Sequence, residues 1–222
     1  MTAPGSIETR VREVPSWRLV TTLGGAGAIV GLCIGLIYRW TLPSIEAHKA
    51  VVLRTAIAEV LHAPERCDTV WLVNNALTKR RPEDAVARTA ERVYLGFDKT
   101  GRPVGFAIAA SQNGFAEPIR LIFGYEPGTH RLLGMKVVVS KETPGIADKI
   151  EKPVFTAQFS GAVAPLKGVK GARGSDASEI AMITGATVSS RAVLKGINNA
   201  IARWQPLLDA YLASPAEPGA QR

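Results

Sequence analysis

Between Leu19 and Tyr38 the chain reads LVTTLGGAGAIVGLCIGLIY, an apolar run without a charged side chain. A helix rising about 1.5 Å per residue needs about 20 such residues to cross the hydrocarbon core of a bilayer. Arg18 and Arg39 bracket the run, and so do Trp17 and Trp40, whose indoles suit the membrane–water interface. Gly27, Gly31 and Gly35 recur at the spacing that lets membrane helices approach closely, so the span is expected to pack against other membrane subunits. The run is longer than the core of a signal peptide, and no small-x-small cleavage site follows it closely. An uncleaved anchor is therefore the expectation. Arg10, Arg12 and Arg18 precede the span, while Arg39, Lys49 and Arg54 follow it, and this near balance leaves the orientation open.

Beyond the span the pattern is that of an amphipathic helix. From Ser44 to His62 the apolar residues Ile45, Val52, Leu53, Ile57, Val60 and Leu61 form one stripe. Pro43 is expected to break or kink the chain ahead of it. Residues 63–90 are polar and show no clear period. Then strand-like runs set in. Arg92–Phe97 with Val104–Ser111, and Ile119–Tyr125 with Leu132–Ser140, read as two strand pairs. Each pair is joined by turn-forming residues, Asp98–Pro103 and Glu126–Thr129, which is the signal for a hairpin with a longer loop. Ile146–Phe159 reads as helical, and Gly161–Ser178 as a loop rich in glycine, lysine and arginine. The last helix is expected to start near Ser189. Val193, Ile197, Ile201, Trp204, Leu208 and Tyr211 lie on its buried face, and Pro206 should kink or divide it. The tail Ser214–Arg222 has little apolar content and is expected to be disordered. Antiparallel hairpins flanked by helices give an α+β fold behind a single transmembrane helix.

Composition changes this picture little. A hydrophobic share of 46% and a charged share of 21% are ordinary for a chain of 222 residues with a globular core. The net charge of +8 is spread out, with no basic run longer than Lys79-Arg80-Arg81 and no nucleic-acid-binding motif, which argues against nucleic acid as a partner. Cys33 lies in the apolar run and Cys67 outside it, so a disulfide between them is not expected. His48, His62 and His130 show no metal-ligand spacing, and no metal site is expected.

Two segments remain as candidate chemistry. One is Ser140-Lys141-Glu142-Thr143-Pro144-Gly145-Ile146-Ala147-Asp148-Lys149-Ile150. The other is Ile183-Thr184-Gly185-Ala186-Thr187-Val188-Ser189-Ser190-Arg191-Ala192-Val193. The second is a hydroxyl-bearing turn that runs into the last helix. Gly185 lets the turn bend, and the small Ala186 lets a ligand or enzyme come close to Thr187. The free N–H groups and dipole of a helix start favour an anion such as a phosphate. From the residues alone, plain N-capping by Thr184, Thr187 or Ser189 ranks above phosphate attachment. Lys170 and Arg173, in the loop before the motif, are candidates to contact a phosphate or the electron-rich edge of a reduced ring, with a solvated loop the equal alternative.

Together these segments resemble those of the FMN-binding domain family, and within it the G subunits of Rnf-type ion-translocating electron transport complexes. The resemblance spans roughly residues 15–205. It implies an organisation of a cytoplasmic segment 1–18, a transmembrane helix 19–38, an FMN-binding domain 44–205 and a C-terminal extension 206–222. It implies FMN attached covalently to Thr187 through its phosphate, making the chain a phosphoprotein, installed from FAD by a flavin transferase with magnesium. Thr184, Gly185 and Ala186 complete the attachment motif. Glu142, Thr143, Pro144 and Gly145 would lie against the flavin, and Lys170 would be nearby. The implied role is an electron relay between ferredoxin and NAD in a redox-driven ion pump, with membrane and iron–sulfur subunits as partners. The implied location is the bacterial inner membrane, with the flavin domain on the periplasmic side. The C subunit of the sodium-pumping NADH:quinone reductase shares the motif, and a membrane-bound flavin sensor is the alternative of another class. One position departs from the family pattern. The acidic residue expected three positions before Thr184 is Ala181, with Asp176 and Glu179 out of register, which puts the efficiency of attachment at issue.

Overall fold

A computed structural model describes residues 15–87, 89–140 and 148–213. Glu142, Thr143, Pro144 and Gly145 and the tail beyond residue 213 thus lie outside the described residues. The chain divides into two compact units, Met1–Ala50 and Val51–Arg222.

In the first unit the apolar run forms the opening part of helix α1 (Ser16–Val60). This helix is long and apolar enough to cross a membrane. Within the apolar run its large side chains, Leu23, Ile29, Leu32 and Ile34 among them, are well exposed, as a lipid-facing surface requires. Thr21 and Thr41 donate their hydroxyls to carbonyls one turn back, Trp17 and Ile37, each at 2.9 Å, so their polar groups are satisfied within the helix. The helix runs through Pro43, where the sequence predicts a break or kink.

The second unit is built on a six-stranded antiparallel sheet in the order β2-β1-β3-β4-β5-β6. Strands β3 (Arg92–Phe97), β4 (Pro103–Asn113), β5 (Pro118–Glu126) and β6 (Arg131–Val139) are the two expected hairpins. Strands β1 (Arg66–Val73) and β2 (Ala76–Thr78) come from the polar stretch that shows no period. A single helical turn, α2 (Asp84–Ala87), follows them. Both faces of the sheet are covered, so its side chains alternate between two apolar layers. Phe106, Ile108, Leu121 and Phe123 face one way, into a cluster with Val193, Ile197, Ile201, Trp204 and Leu208 of helix α4 (Thr187–Ala213). Ala107 and Ile122 face the other, against Ala56, Ile57, Val60 and Leu61 at the end of α1. The close approach on that side needs Gly124, where an added Cβ would lie 2.2 Å from the Val60 carbonyl oxygen.

The stretch expected to be one helix, Ile146–Phe159, is instead a series of short turns over its described part. These are a 3-10 turn at Asp148–Glu151, α3 (Pro153–Thr156) and a 3-10 turn at Ala157–Phe159. Pro153 has no N–H to continue a helix from the first turn, so it starts a new one. The expected loop from Gly161 contains strand β7 (Lys167–Lys170), which pairs in parallel with β8 (Glu179–Met182). This small ribbon leads directly into the turn before α4. Helix α4 itself starts two residues earlier than expected and continues through Pro206.

Candidate functional site

The site begins with β8. Its main chain is held on one side by β7 and on the other by a side chain. Gln158 accepts a hydrogen bond from the Ala181 N–H at 2.8 Å and donates one to the Ala181 carbonyl at 3.3 Å. Ala181 is therefore a clamped strand residue. The two acids nearby are occupied in shaping the preceding loop. Asp176 accepts the Ser178 N–H at 2.8 Å, the chief reason its carboxyl is held below the usual range. Glu179 accepts the Gly174 N–H at 3.0 Å.

After β8 the chain turns sharply over Ile183–Ala186. The Ala186 N–H closes the turn on the Ile183 carbonyl at 3.0 Å. Gly185 sits at φ +84°, in the left-handed region; an added Cβ would meet nothing, so backbone strain is what reserves the position for glycine. Ser190 ties the turn to the helix. Its hydroxyl oxygen accepts the Ile183 N–H at 3.1 Å, and the hydroxyl donates to the Ala186 carbonyl at 2.9 Å. This contact binds the turn to the first turn of α4 and is distinct from the N-cap expected of Thr184, Thr187 or Ser189.

Thr184 and Gly185 are exposed at the tip of the turn, Ala186 is buried beneath it, and Thr187 is half-buried as the first residue of α4. Among the described residues, neither Thr184 nor Thr187 spends its side-chain hydroxyl on a hydrogen bond. The first amides of an α-helix lack partners within the helix, and the macrodipole is positive there. A hydroxyl held at that end without an internal partner suits esterification to an anionic group.

The flank of the site is cationic. Lys170 stands opposite Met182 in the ribbon register, exposed, on the same ribbon face as Gly168. Arg173 is committed elsewhere, donating to the Gln158 carbonyl at 3.0 Å and the Ala177 carbonyl at 3.3 Å. A groove of about 340 Å³ runs along α4 past Gly168 and Met182, with Arg191 and Lys195 on its wall. Sequence reasoning missed Gln158, Ser190, Arg191 and Lys195. Arg191 was within reach of that reasoning, since residues four apart share a helix face and Arg191 follows Thr187 by four. Gln158 was not, because only the fold brings it beside Ala181.

A hydroxyl-bearing helix start at the end of a strand ribbon is a place where an anionic group such as a phosphate is favoured. The FMN-binding domain family matches residues 114–202, which include β5, β6, the ribbon, the turn and most of α4. The G subunit of the Na(+)-translocating ferredoxin:NAD(+) oxidoreductase complex of Acetobacterium woodii is 28% identical over 210 residues, covering 90% of this chain and 99% of the relative. The G subunit of the ion-translocating oxidoreductase complex of Shewanella baltica is 31% identical over 157 residues, covering 68% of this chain and 69% of the relative. The chain belongs to the family of G subunits of ion-translocating oxidoreductase complexes, and it is a flavoprotein subunit that carries the family's FMN-binding domain. The fold is shared more widely. The crystal structure of NqrC from Shewanella oneidensis superposes with a TM-score of 0.62 at 16% identity, over 74% of this chain and 99% of that one.

Proposed function

We propose that Thr187 carries the FMN as a phosphoester and that the chain relays electrons through it within a membrane-bound ferredoxin:NAD oxidoreductase of the Rnf type. The observation that carries this reading is the position of Thr187. It is the first residue of α4, behind a glycine turn, with a hydroxyl that no described residue engages. In the attachment step the Thr187 Oγ1 forms a bond to the FMN phosphorus of FAD. The diphosphate bond breaks, AMP leaves, and the hydroxyl proton passes to a base of the flavin transferase, with magnesium as its cofactor. Threonine is a weak nucleophile on its own, so the transferase is a required partner.

The residues around Thr187 suit the product. Lys170 and the positive end of α4 favour a phosphate anion. The turn keeps Thr184 and Gly185 open to an approaching enzyme, while Ser190 and Gln158 hold the turn and β8 rigid. The loop holding Glu142, Thr143, Pro144 and Gly145 would supply further contacts to the flavin. Bound FMN supplies the electron uptake and release; the protein supplies its place and electrostatics. The reading includes membrane and iron–sulfur subunits as neighbours, a span over 19–38, and the domain 44–205 on the periplasmic side of the inner membrane. The name of the Acetobacterium woodii relative, a ferredoxin:NAD(+) oxidoreductase subunit, supports the donor and acceptor.

The test is direct. The full chain is expressed with a flavin transferase, denatured, and examined for flavin fluorescence in the gel band. Wild type is expected to fluoresce, and Thr187→Ala to lose the signal. A dark wild-type band sinks the covalent reading, and a fluorescent Thr187→Ala band moves the attachment elsewhere.

A further inference from the structure

The groove along α4 is lined by Leu166, Gly168, Met182, Arg191, Leu194, Lys195, Asn198 and Asn199, and no carboxylate is among them. Gly168 is part of its packing, since a Cβ there would lie 2.8 Å from the Met182 sulfur and 3.2 Å from Leu194 Cδ2. Asn198 fixes β7 against α4. It accepts the Leu166 N–H at 2.8 Å and donates to the Leu166 carbonyl at 2.9 Å, so its amide is spent on structure. Arg191 and Lys195 are exposed, and among the described residues neither has an ion pair or hydrogen bond. Elsewhere on the domain comparable cations are paired, as Arg203 with Glu91, Lys167 with Asp176 and Arg102 with Asp98.

Spacing connects the groove to the attachment site. Thr187, Arg191 and Lys195 recur at four-residue intervals, one face of one helix. At about 1.5 Å per residue, Arg191 lies about 6 Å and Lys195 about 12 Å beyond Thr187 along the axis. A phosphate esterified to Thr187 keeps one negative charge. A guanidinium one turn away can meet its two free oxygens with paired donors.

Resting on the reading of Thr187 given above, we propose that this groove is the seat of the phosphate and polyol of the attached nucleotide. In it Arg191 is the positioning residue for the phosphate, and Lys195 carries positive charge further along. The apolar floor of Leu166, Met182 and Leu194 then backs the carbon chain, and Asn199, whose amide nitrogen donates to Gln112 at 3.5 Å, offers its Oδ1 to the hydroxyls. The alternative is that Arg191 and Lys195 merely solvate an exposed helix face.

The experiment uses the full chain in detergent, co-expressed with a flavin transferase. It compares wild type, Arg191→Gln, Arg191→Lys, the double variant Arg191→Gln/Lys195→Gln, and Arg81→Gln as a remote charge control. Covalent loading is read by in-gel fluorescence at early and late times, and the environment of the flavin by its visible circular dichroism and midpoint potential. Loss of a charge-assisted contact is expected to slow loading by about tenfold in the double variant. Once loaded, that variant should show a weakened flavin dichroism and a lower potential, because removing positive charge disfavours the reduced, more anionic flavin. Arg191→Lys should recover much of the loading and Arg81→Gln should match wild type. Loading, dichroism and potential all equal to wild type in the double variant overturn the groove assignment. So does an equal change in Arg81→Gln, which would mark a general charge effect. A wild-type chain without flavin overturns the reading of Thr187 instead. Both targets are exposed side chains, so the variants are expected to fold.

Discussion

Single residues set the local geometry here through charge and through the space they leave open. Asp98, in the turn between β3 and β4, accepts the Thr100 hydroxyl at 2.6 Å and the Thr100 and Arg102 N–H groups at 2.8 Å each. The Thr100 hydroxyl is the largest cause, followed by the Arg102 N–H, and together they bring the carboxyl down from 3.8 to about 2. The ionised form is the one bound, so its stabilisation is present above the unfolded value and is lost as pH falls through the folded one. Asp98→Ala is therefore expected to flatten the stability profile between about pH 4 and pH 2. Denaturation at fixed pH steps checks this, and an unchanged slope would remove Asp98 from acid unfolding. The same turn was legible in the sequence as Asp98–Pro103, because aspartate and glycine announce such turns. The use of Asp98 as a shared acceptor for Thr100 and Arg102 was not, since it depends on the closed hairpin.

Among the elements, the β7–β8 ribbon was the least legible and the closest to the chemistry. Lys167–Lys170 holds a single branched residue, Val169, between lysines and a glycine, and four residues are too few for a period to emerge. Its strand character comes from pairing with β8 and from the Asn198 contacts, both long-range. The outer side of β8 depends on Gln158 in the same way. Gln158→Ala would strip the Ala181 N–H and carbonyl of their partners, a cost of about 1–3 kcal/mol for partly buried groups. The expected result is faster hydrogen exchange at the Ala181 amide and slower flavin attachment, with the six-stranded sheet unaffected. Exchange at Ala181 as slow as in wild type would show that β8 does not need the clamp. The hairpins β3–β4 and β5–β6, by contrast, were readable to within two residues at every end, because long alternating runs closed by turn residues carry their own signal.

At the scale of the whole chain, the sheet needs cover on both faces. Ala56, Ile57, Val60 and Leu61 at the end of α1 close the face formed by Ala107 and Ile122. The large apolar residues from Leu19 to Trp40 are exposed along the first part of α1. A chain starting at Val51 is therefore expected to fold and remain monomeric without detergent. A chain starting at Glu65 is expected to aggregate, since it uncovers the α1 face of the sheet. Size exclusion and circular dichroism distinguish the two. A well-folded, monomeric Glu65 chain would show that the α1 segment is dispensable to the domain.

The sequence by itself determined the apolar span, the amphipathic helices, the two long hairpins and the position of the Thr184–Thr187 motif before the last helix. Each rests on a period or a turn within a short window, and local patterns of this kind survive whatever the rest of the chain does. Only the tertiary structure decided that β1 and β2 complete the sheet and that Ser190 and Gln158 lock the motif. It likewise decided that Arg173 is bound to main-chain carbonyls, and that Arg191 and Lys195 line a groove between α4 and the ribbon. These depend on contacts between residues far apart in the chain, where a side chain's partner is chosen by how sheet and helix pack.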